Sequence, residues 1–197
     1  MNFTLPKFYP ITDTRLRTLS HAEQVEKMAA GGAIIIQLRD KYAAPDEFYA
    51  DAQKAVEIAR RENVKIIIND RVDIALALKA DGVHLGQDDM PPAEARKLLG
   101  NDLVIGFSTH NVEQVRDAIR QPIDYIAFGP IFPTSTKEDP DPVLGLSQLS
   151  EVKKMAGNIP LVAIGGINSA NYPEVFKAGA DSVAFISGFD IDAKLPQ

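Results

Sequence analysis

Short apolar runs and longer amphipathic stretches alternate along the whole chain, divided by glycine, proline and aspartate. The runs fall at 8–12, 34–36, 66–68, 82–85, 103–107, 125–128, 161–164 and 182–186. At Ile34, Ile35 and Ile36 hydrophobic residues follow one another without alternation, as in a strand covered on both faces. The stretches between them repeat at helical spacing. Ser20 caps a helix carrying Val25, Met28 and Ala29, which Gly31 and Gly32 stop. Pro45 and Asp46 open a long helix whose stripe is Phe48, Ala52, Ala55, Val56 and Ala59. Ile74, Leu76 and Leu78 mark a short one, and Pro91-Pro92 starts another at positions where proline is tolerated. Val112, Val115 and Ile119 mark the next, then Leu146, Leu149, Val152 and Ala156, then residues 171–177.

Eight strands with seven intervening helices, strictly alternating, predict parallel strands joined by right-handed crossovers. That number predicts an α/β fold closed as a (β/α)8 TIM barrel, one domain over 1–197. An open doubly wound sheet is the alternative, but no G-x-G-x-x-G follows the first strand. The tail after residue 188 is too short for a full eighth helix. This curtailed end leaves one flank to a partner subunit, as in a homodimer, or to other helices.

Composition narrows the partners. A net charge of −6 argues against a nucleic-acid or anionic-membrane surface, so any anion site must be local. There is no cysteine, which removes disulfides, thiolate nucleophiles and zinc–thiolate sites and fits a cytoplasmic protein. The N-terminal residues do not read as a signal peptide, and no apolar run is long enough to span a membrane.

In a barrel the chemistry sits at the C-terminal ends of the strands. Those ends carry Arg39 and Lys41, Asn69 and Asp70, Asp88 and Asp89, Ser108, Thr134 to Lys137, Gly165-Gly166 and Ser187-Gly188. Asp70 and Asp89 each precede a helix, so capping is the plain alternative for both. Strands three and four are neighbours, however, and two converging carboxylates repel unless a divalent cation lies between them. Oxygen ligands point to Mg²⁺, which combines one or two carboxylates with substrate phosphates. Spacing leaves open which of Asp88 and Asp89 is the ligand. Arg39, Lys41 and Lys137 beside that metal suit a diphosphate. Gly165-Gly166 and Ser187-Gly188 expose backbone N–H groups where this fold commonly holds phosphate. His84, inside strand four, reads as a satisfied core histidine. His21 lies at a helix start, and His110 is placed either to reach the mouth or to cap.

The segments YPITD, QLRDK, INDR, GVHLGQDD, IGFSTH, GPIFPTSTK and AIGGI together resemble the thiamine-phosphate synthase family, from about residue 9 to residue 187. The resemblance implies joining 4-amino-2-methyl-5-diphosphomethylpyrimidine to a thiazole phosphate, plain or carboxylated, with release of pyrophosphate. It implies that Gln37, Leu38, Arg39, Asp40, Lys41, Asn69, Ser108 and Lys137 hold the pyrimidine diphosphate. It gives Mg²⁺ to Asp70 and Asp89, and the thiazole phosphate to Thr134, Ser135, Thr136, Gly166, Ile186 and Ser187. Lys137, Ser108 and Arg39 are then the catalytic residues. After Lys137 the chain departs from the family's usual pattern and reads EDPDPVLGL. A thiazole tautomerase of the same fold and a non-catalytic phosphate-binding barrel are the rivals. The first tends to lack the diphosphate and metal residues, which are all present here.

Overall fold

The computed structural model describes residues 4–134, 136 and 141–196. Eight parallel strands close in sequence order: β1 (Phe8–Thr12), β2 (Ile35–Leu38), β3 (Lys65–Asn69), β4 (Gly82–Leu85), β5 (Val104–Thr109), β6 (Tyr125–Phe128), β7 (Leu161–Ala163) and β8 (Ser182–Phe185). Closure is made by β8 on β1, with Tyr9 opposite Ala184. The intervening helices are α1 (His21–Ala30), α2 (Pro45–Arg61), α3 (Val72–Leu78), α4 (Pro92–Leu99), α5 (Val112–Ala118), α6 (Gly145–Ala156) and α7 (Tyr172–Lys177).

The absence of alternation in the strands now has its cause. One set of side chains, including Tyr9, Ile35, Ile67, Val104, Tyr125, Val162 and Ala184, fills the barrel interior. The other set, including Ile36, Leu38, Ile66, Ile68, Val83 and Ile105, packs under the helices. Both faces of each strand are removed from water, so both are apolar. The helices meet this layer with the stripes their spacing predicts. On α2 the buried residues are Phe48, Ala52, Ala55, Val56 and Ala59. Ser20 and Glu23 form a capping box at the start of α1.

Two apolar positions differ from expectation. Ile34 is 59% exposed and precedes β2 at the N-terminal rim of the barrel. Leu76 is 41% exposed because the buried stripe of α3 runs through Val72, Ala75 and Leu78. Among the described residues no helix follows β8. The tail itself covers part of the flank. The Leu195 amide donates to the Gly31 carbonyl at 2.9 Å, Lys27 pairs with Asp192, and Ile191 and Leu195 pack on the core beside α1. Phe189 closes an aromatic cluster with Phe8, Tyr172 and Phe185.

Candidate active site at the barrel mouth

The C-terminal ends of the strands surround a cavity of about 810 Å³. Its acidic side is built by β3 and β4. Asp70 has φ +64, a left-handed conformation that Asp tolerates better than most residues. Its amide donates to the His84 carbonyl across the two strands at 2.8 Å. The cap position of α3 is Arg71 and that of α4 is Pro91, so neither Asp70 nor Asp89 is a helix cap. The Asp89 carboxylate instead accepts from the Gly86 amide at 2.6 Å. Burial pushes the Asp70 carboxyl above its ordinary range, and so does Asp89, which lies within hydrogen-bonding reach; Lys41, ion-paired to Asp70, pulls it back. Asp88 is exposed on the rim of the same cavity.

This donor set fits a divalent cation of the magnesium kind. The two carboxylates face one another at an energetic cost that a cation between them removes. No group of three or more acidic, histidine or cysteine side chains poised for a metal occurs among the described residues. Two carboxylates alone could serve a Mg²⁺ that takes its other ligands from water and substrate phosphates.

The next sector belongs to β2 and β3. Gln37 and Asn69 point inward and line the cavity. Asn69 is only 6% exposed, and its Nδ2 has no hydrogen-bond partner. A buried donor without an acceptor at the wall of a cavity is matched by a ligand that supplies one. Arg39 and Lys41 also line the mouth, with Arg39 held by Asp13 at 3.1 Å. The structure does not bring Leu38 and Asp40 there. Leu38 is fully buried on the outer face of β2, under the helices. Asp40 is engaged by the loops after β1 and β2, accepting from Thr14 Oγ1 and from the Tyr42 and Ala43 amides, each at 2.9 Å. Burial alone would raise its carboxyl, but those amides and that hydroxyl hold it below the ordinary range. Its part is to fix the turn that presents Arg39 and Lys41.

The opposite sector is bare backbone. Gly165 and Gly166 have φ of +98° and +65°. A Cβ on Gly166 would stand 2.5 Å from the Pro133 carbonyl, and one on Gly188 would stand 1.9 Å from the Ile167 carbonyl. The loops after β6, β7 and β8 thus lie backbone on backbone, and only glycine permits that approach. Thr134, Thr136, Ile186 and Ser187 line the cavity here; Ser135 and Lys137 lie outside the described residues. Arg17 braces the last loop from behind, its Nη2 donating to the carbonyls of Ile186 at 2.9 Å and Phe189 at 3.2 Å. His110 does reach the mouth, bonded to the Gly129 carbonyl at 2.8 Å with Asp141 at 3.5 Å.

His84 is buried with its ring satisfied, as its place in a strand implies, but it also forms part of the cavity floor. Its Nε2 lies 2.8 Å from Ser108 Oγ and its Nδ1 lies 2.9 Å from Tyr125 Oη. Burial pushes the imidazole down to about 4 and the Tyr9 and Tyr125 phenols well above their ordinary range. Sequence periodicity passes over Tyr9, Tyr125 and Arg17, because two tyrosines in apolar runs and one loop arginine carry no distinguishing pattern.

Fold and mouth together define a (β/α)8-barrel enzyme with its polar groups gathered at the C-terminal face of the strands. The family model described as Thiamine monophosphate synthase matches residues 8–189. A thiamine-phosphate synthase of Chloroflexus aurantiacus is 46% identical over 182 residues, covering 92% of this chain and 83% of that protein. One from Methanocella arvoryzae is 47% identical over 180 residues, covering 91% and 84%. Among solved structures, the thiamine phosphate pyrophosphorylase of Pyrococcus furiosus is similar with a TM-score of 0.83 at 38% identity, covering 95% of this chain and 88% of that one. The chain belongs to the thiamine monophosphate synthase family.

Proposed function

We propose that the protein is a thiamine-phosphate synthase, a transferase that moves a pyrimidinylmethyl group from diphosphate to the nitrogen of a thiazole phosphate. The observation that carries this beyond family membership is the facing pair of Asp70 and Asp89 beside Lys41. A tautomerase acting on the thiazole alone has no use for a metal and diphosphate sector.

On this reading Arg39, Lys41 and Lys137 take the diphosphate, and Asp70 and Asp89 hold Mg²⁺. Bound there, the ion would neutralise charge that builds on the leaving pyrophosphate. Gln37, Asn69 and Ser108 orient the pyrimidine end, and the Asn69 amide finds its missing acceptor in the substrate. Thr134, Ser135, Thr136, Gly166, Ile186 and Ser187 hold the thiazole phosphate, on hydroxyls and on backbone N–H groups that no side chain covers. Leu38 and Asp40 act through the fold rather than by touching substrate.

The bond changes follow from this inventory. The C–O bond between the pyrimidine's methylene and the diphosphate breaks, and its electron pair leaves with pyrophosphate. The pyrimidinylmethyl cation is stabilised by the ring's amino group. The thiazole nitrogen then forms the C–N bond with its own lone pair. No proton has to be removed, which agrees with a mouth whose histidine is pushed down by burial to about 4. The thiazole phosphate must therefore be placed rather than activated; its carboxylated form would in addition lose its carboxylate as CO2 and take up a proton at that carbon. The same reading makes the protein cytoplasmic, with small molecules rather than nucleic acid or membrane as partners. Among the described residues no helix is long and apolar enough to cross a membrane.

Incubation with both substrates and Mg²⁺, followed by mass spectrometry, tests the proposal. Thiamine phosphate and pyrophosphate should appear together. An isomerised thiazole without pyrophosphate would establish the tautomerase instead, and no product at all would leave a binding barrel.

A further inference from the structure

A chain of four hydrogen bonds crosses the barrel interior and ends at the mouth. Gln37 Nε2 lies 3.2 Å from Tyr9 Oη, Tyr9 Oη 3.0 Å from Tyr125 Oη, Tyr125 Oη 2.9 Å from His84 Nδ1, and His84 Nε2 2.8 Å from Ser108 Oγ. Its members come from β1, β2, β4, β5 and β6, and all but Ser108 are buried. The fold makes deliberate room for it. His84, Gly106 and Tyr125 stand in one row across three strands. A Cβ on Gly106 would lie 2.0 Å from Tyr125 Cζ, so the absent side chain is what lets the phenol reach over β5 to the imidazole. The two rings stack at 22° with centroids 5.5 Å apart.

The direction of this chain can be worked out from one end. The Gln37 amide nitrogen only donates, so Tyr9 Oη accepts there. The remaining hydrogen of Tyr9 has one acceptor within reach among the described residues, Tyr125 Oη. Where Tyr125 passes its own hydrogen to His84 Nδ1, 2.9 Å away, that nitrogen carries the lone pair. The proton of the neutral ring is therefore on Nε2, and Nε2–H donates to Ser108 Oγ. One lone pair of Ser108 Oγ is then engaged by the ring, and its hydroxyl hydrogen is left to point into the cavity.

We infer that Tyr9, Tyr125 and His84 are positioning residues whose hydrogen-bond chain orients Ser108 as a donor toward an acceptor atom of the pyrimidine substrate. Rotation of the serine hydroxyl is otherwise nearly free. Fixing it favours an acceptor over a donor at that point, so the chain biases specificity as well as orientation. The inference rests on the proposed synthase reading for the identity of the substrate, but its first test does not.

That test is long-range ¹H–¹⁵N NMR of the free wild-type protein, which distinguishes a protonated from an unprotonated imidazole nitrogen. With three histidines in the chain, loss of one set of signals in His84→Gln assigns His84. The expected result is Nε2–H with Nδ1 bare; an Nδ1–H tautomer or a doubly protonated ring at neutral pH would overturn the proposal. The second test is kinetic. Tyr125→Phe should scramble the tautomer and lower kcat/KM for the pyrimidine diphosphate about tenfold, the worth of one hydrogen bond, with the KM for the thiazole phosphate unmoved. His84→Leu should lose at least as much, and His84→Gln, whose amide N–H reaches about as far as Nε2–H, should recover most of it. Equal loss in His84→Leu and His84→Gln, both folded by circular dichroism, would refute the donor role. A wild type with the expected tautomer but no synthase activity would instead fault the functional reading.

Discussion

Replacing Asp89 by Asn should make the metal-free protein more stable while removing its response to magnesium. Asp89 and Asp70 face each other within hydrogen-bonding reach, and Asp70 is already raised by burial and by that neighbour. Two unit charges about 4 Å apart at an effective dielectric near 20 repel by about 4 kcal/mol. Lys41, paired with Asp70, and solvent screening at the open mouth together offset most of that, leaving a net cost on the order of 1 kcal/mol. Asn keeps an oxygen for the Gly86 amide, so the turn before α4 is preserved. For a chain of 197 residues, 1 kcal/mol corresponds to about 2–4 °C in Tm.

The assay is thermal unfolding in EDTA and then in rising Mg²⁺ with pyrophosphate. In EDTA the variant should melt about 2–4 °C above wild type. At metal and pyrophosphate a hundredfold above their dissociation constant, wild type should gain about 2.7 kcal/mol, or roughly 5–10 °C, and Asp89→Asn little. Asp70→Asn should behave alike toward the metal but gain less in EDTA, because Lys41 loses its partner. A variant that melts at or below wild type in EDTA, or keeps the full magnesium increment, would refute the shared-cation argument.

Three further outcomes are expected. Gly166→Val should raise the KM for the thiazole phosphate about tenfold or more and that for the pyrimidine diphosphate far less, since its Cβ would strike the Pro133 carbonyl at 2.5 Å; equal effects on both would show the two halves of the mouth wrongly divided. Asp40→Ala should lower Tm by about 5 °C at pH 7 through loss of charge-assisted hydrogen bonds. Because the folded Asp40 carboxyl lies below its unfolded value of about 3.9, that stabilisation is complete above this pH and lost as pH falls through the folded value, so the two melting curves should converge in strong acid; a gap that persists there would mean packing, not charge, holds the turn. An electron-withdrawing group in place of the pyrimidine's methyl should slow single turnovers by several orders of magnitude, at about 1.4 kcal/mol per decade; a rate within a few-fold of the natural substrate's would exclude cation formation as the slow step.

The barrel was legible because each strand is a short run between breakers and each helix shows one apolar stripe. The α2 stripe of Phe48, Ala52, Ala55, Val56 and Ala59 is buried to the residue. Local conformation was less so. Nothing in INDR announces that Asp70 will take a positive φ, which swings its carboxylate to the mouth instead of onto the amides of α3. Nor does the length of the tail reveal that Leu195 will bond to Gly31 and cover α1 without a helix.

The phase of each strand is the deeper loss. When both faces of a strand are apolar, period two has no contrast, and Gln37 and Leu38 look equally able to reach a substrate. Only closure decides that Gln37 faces Tyr9 inside while Leu38 lies under the helices. A residual signal does exist. The helix-covered face can satisfy a hydroxyl with one nearby carbonyl, as Thr12 does on Gln37 and Thr109 on Ala127. For a strand amide or imidazole the cavity wall offers what the helix-covered face does not, access to a ligand, and Gln37, Asn69 and His84 all line it. Gln37, Asn69 and His84 are therefore driven to the inner face, and each fixes the parity of its strand. Ser108, small enough for either face, is assigned only through the register that sets Gly106 between His84 and Tyr125. Applied to this chain, parity alone places Leu38 outside and brings His84 to the floor of the mouth, where core packing and substrate orientation become the same set of contacts.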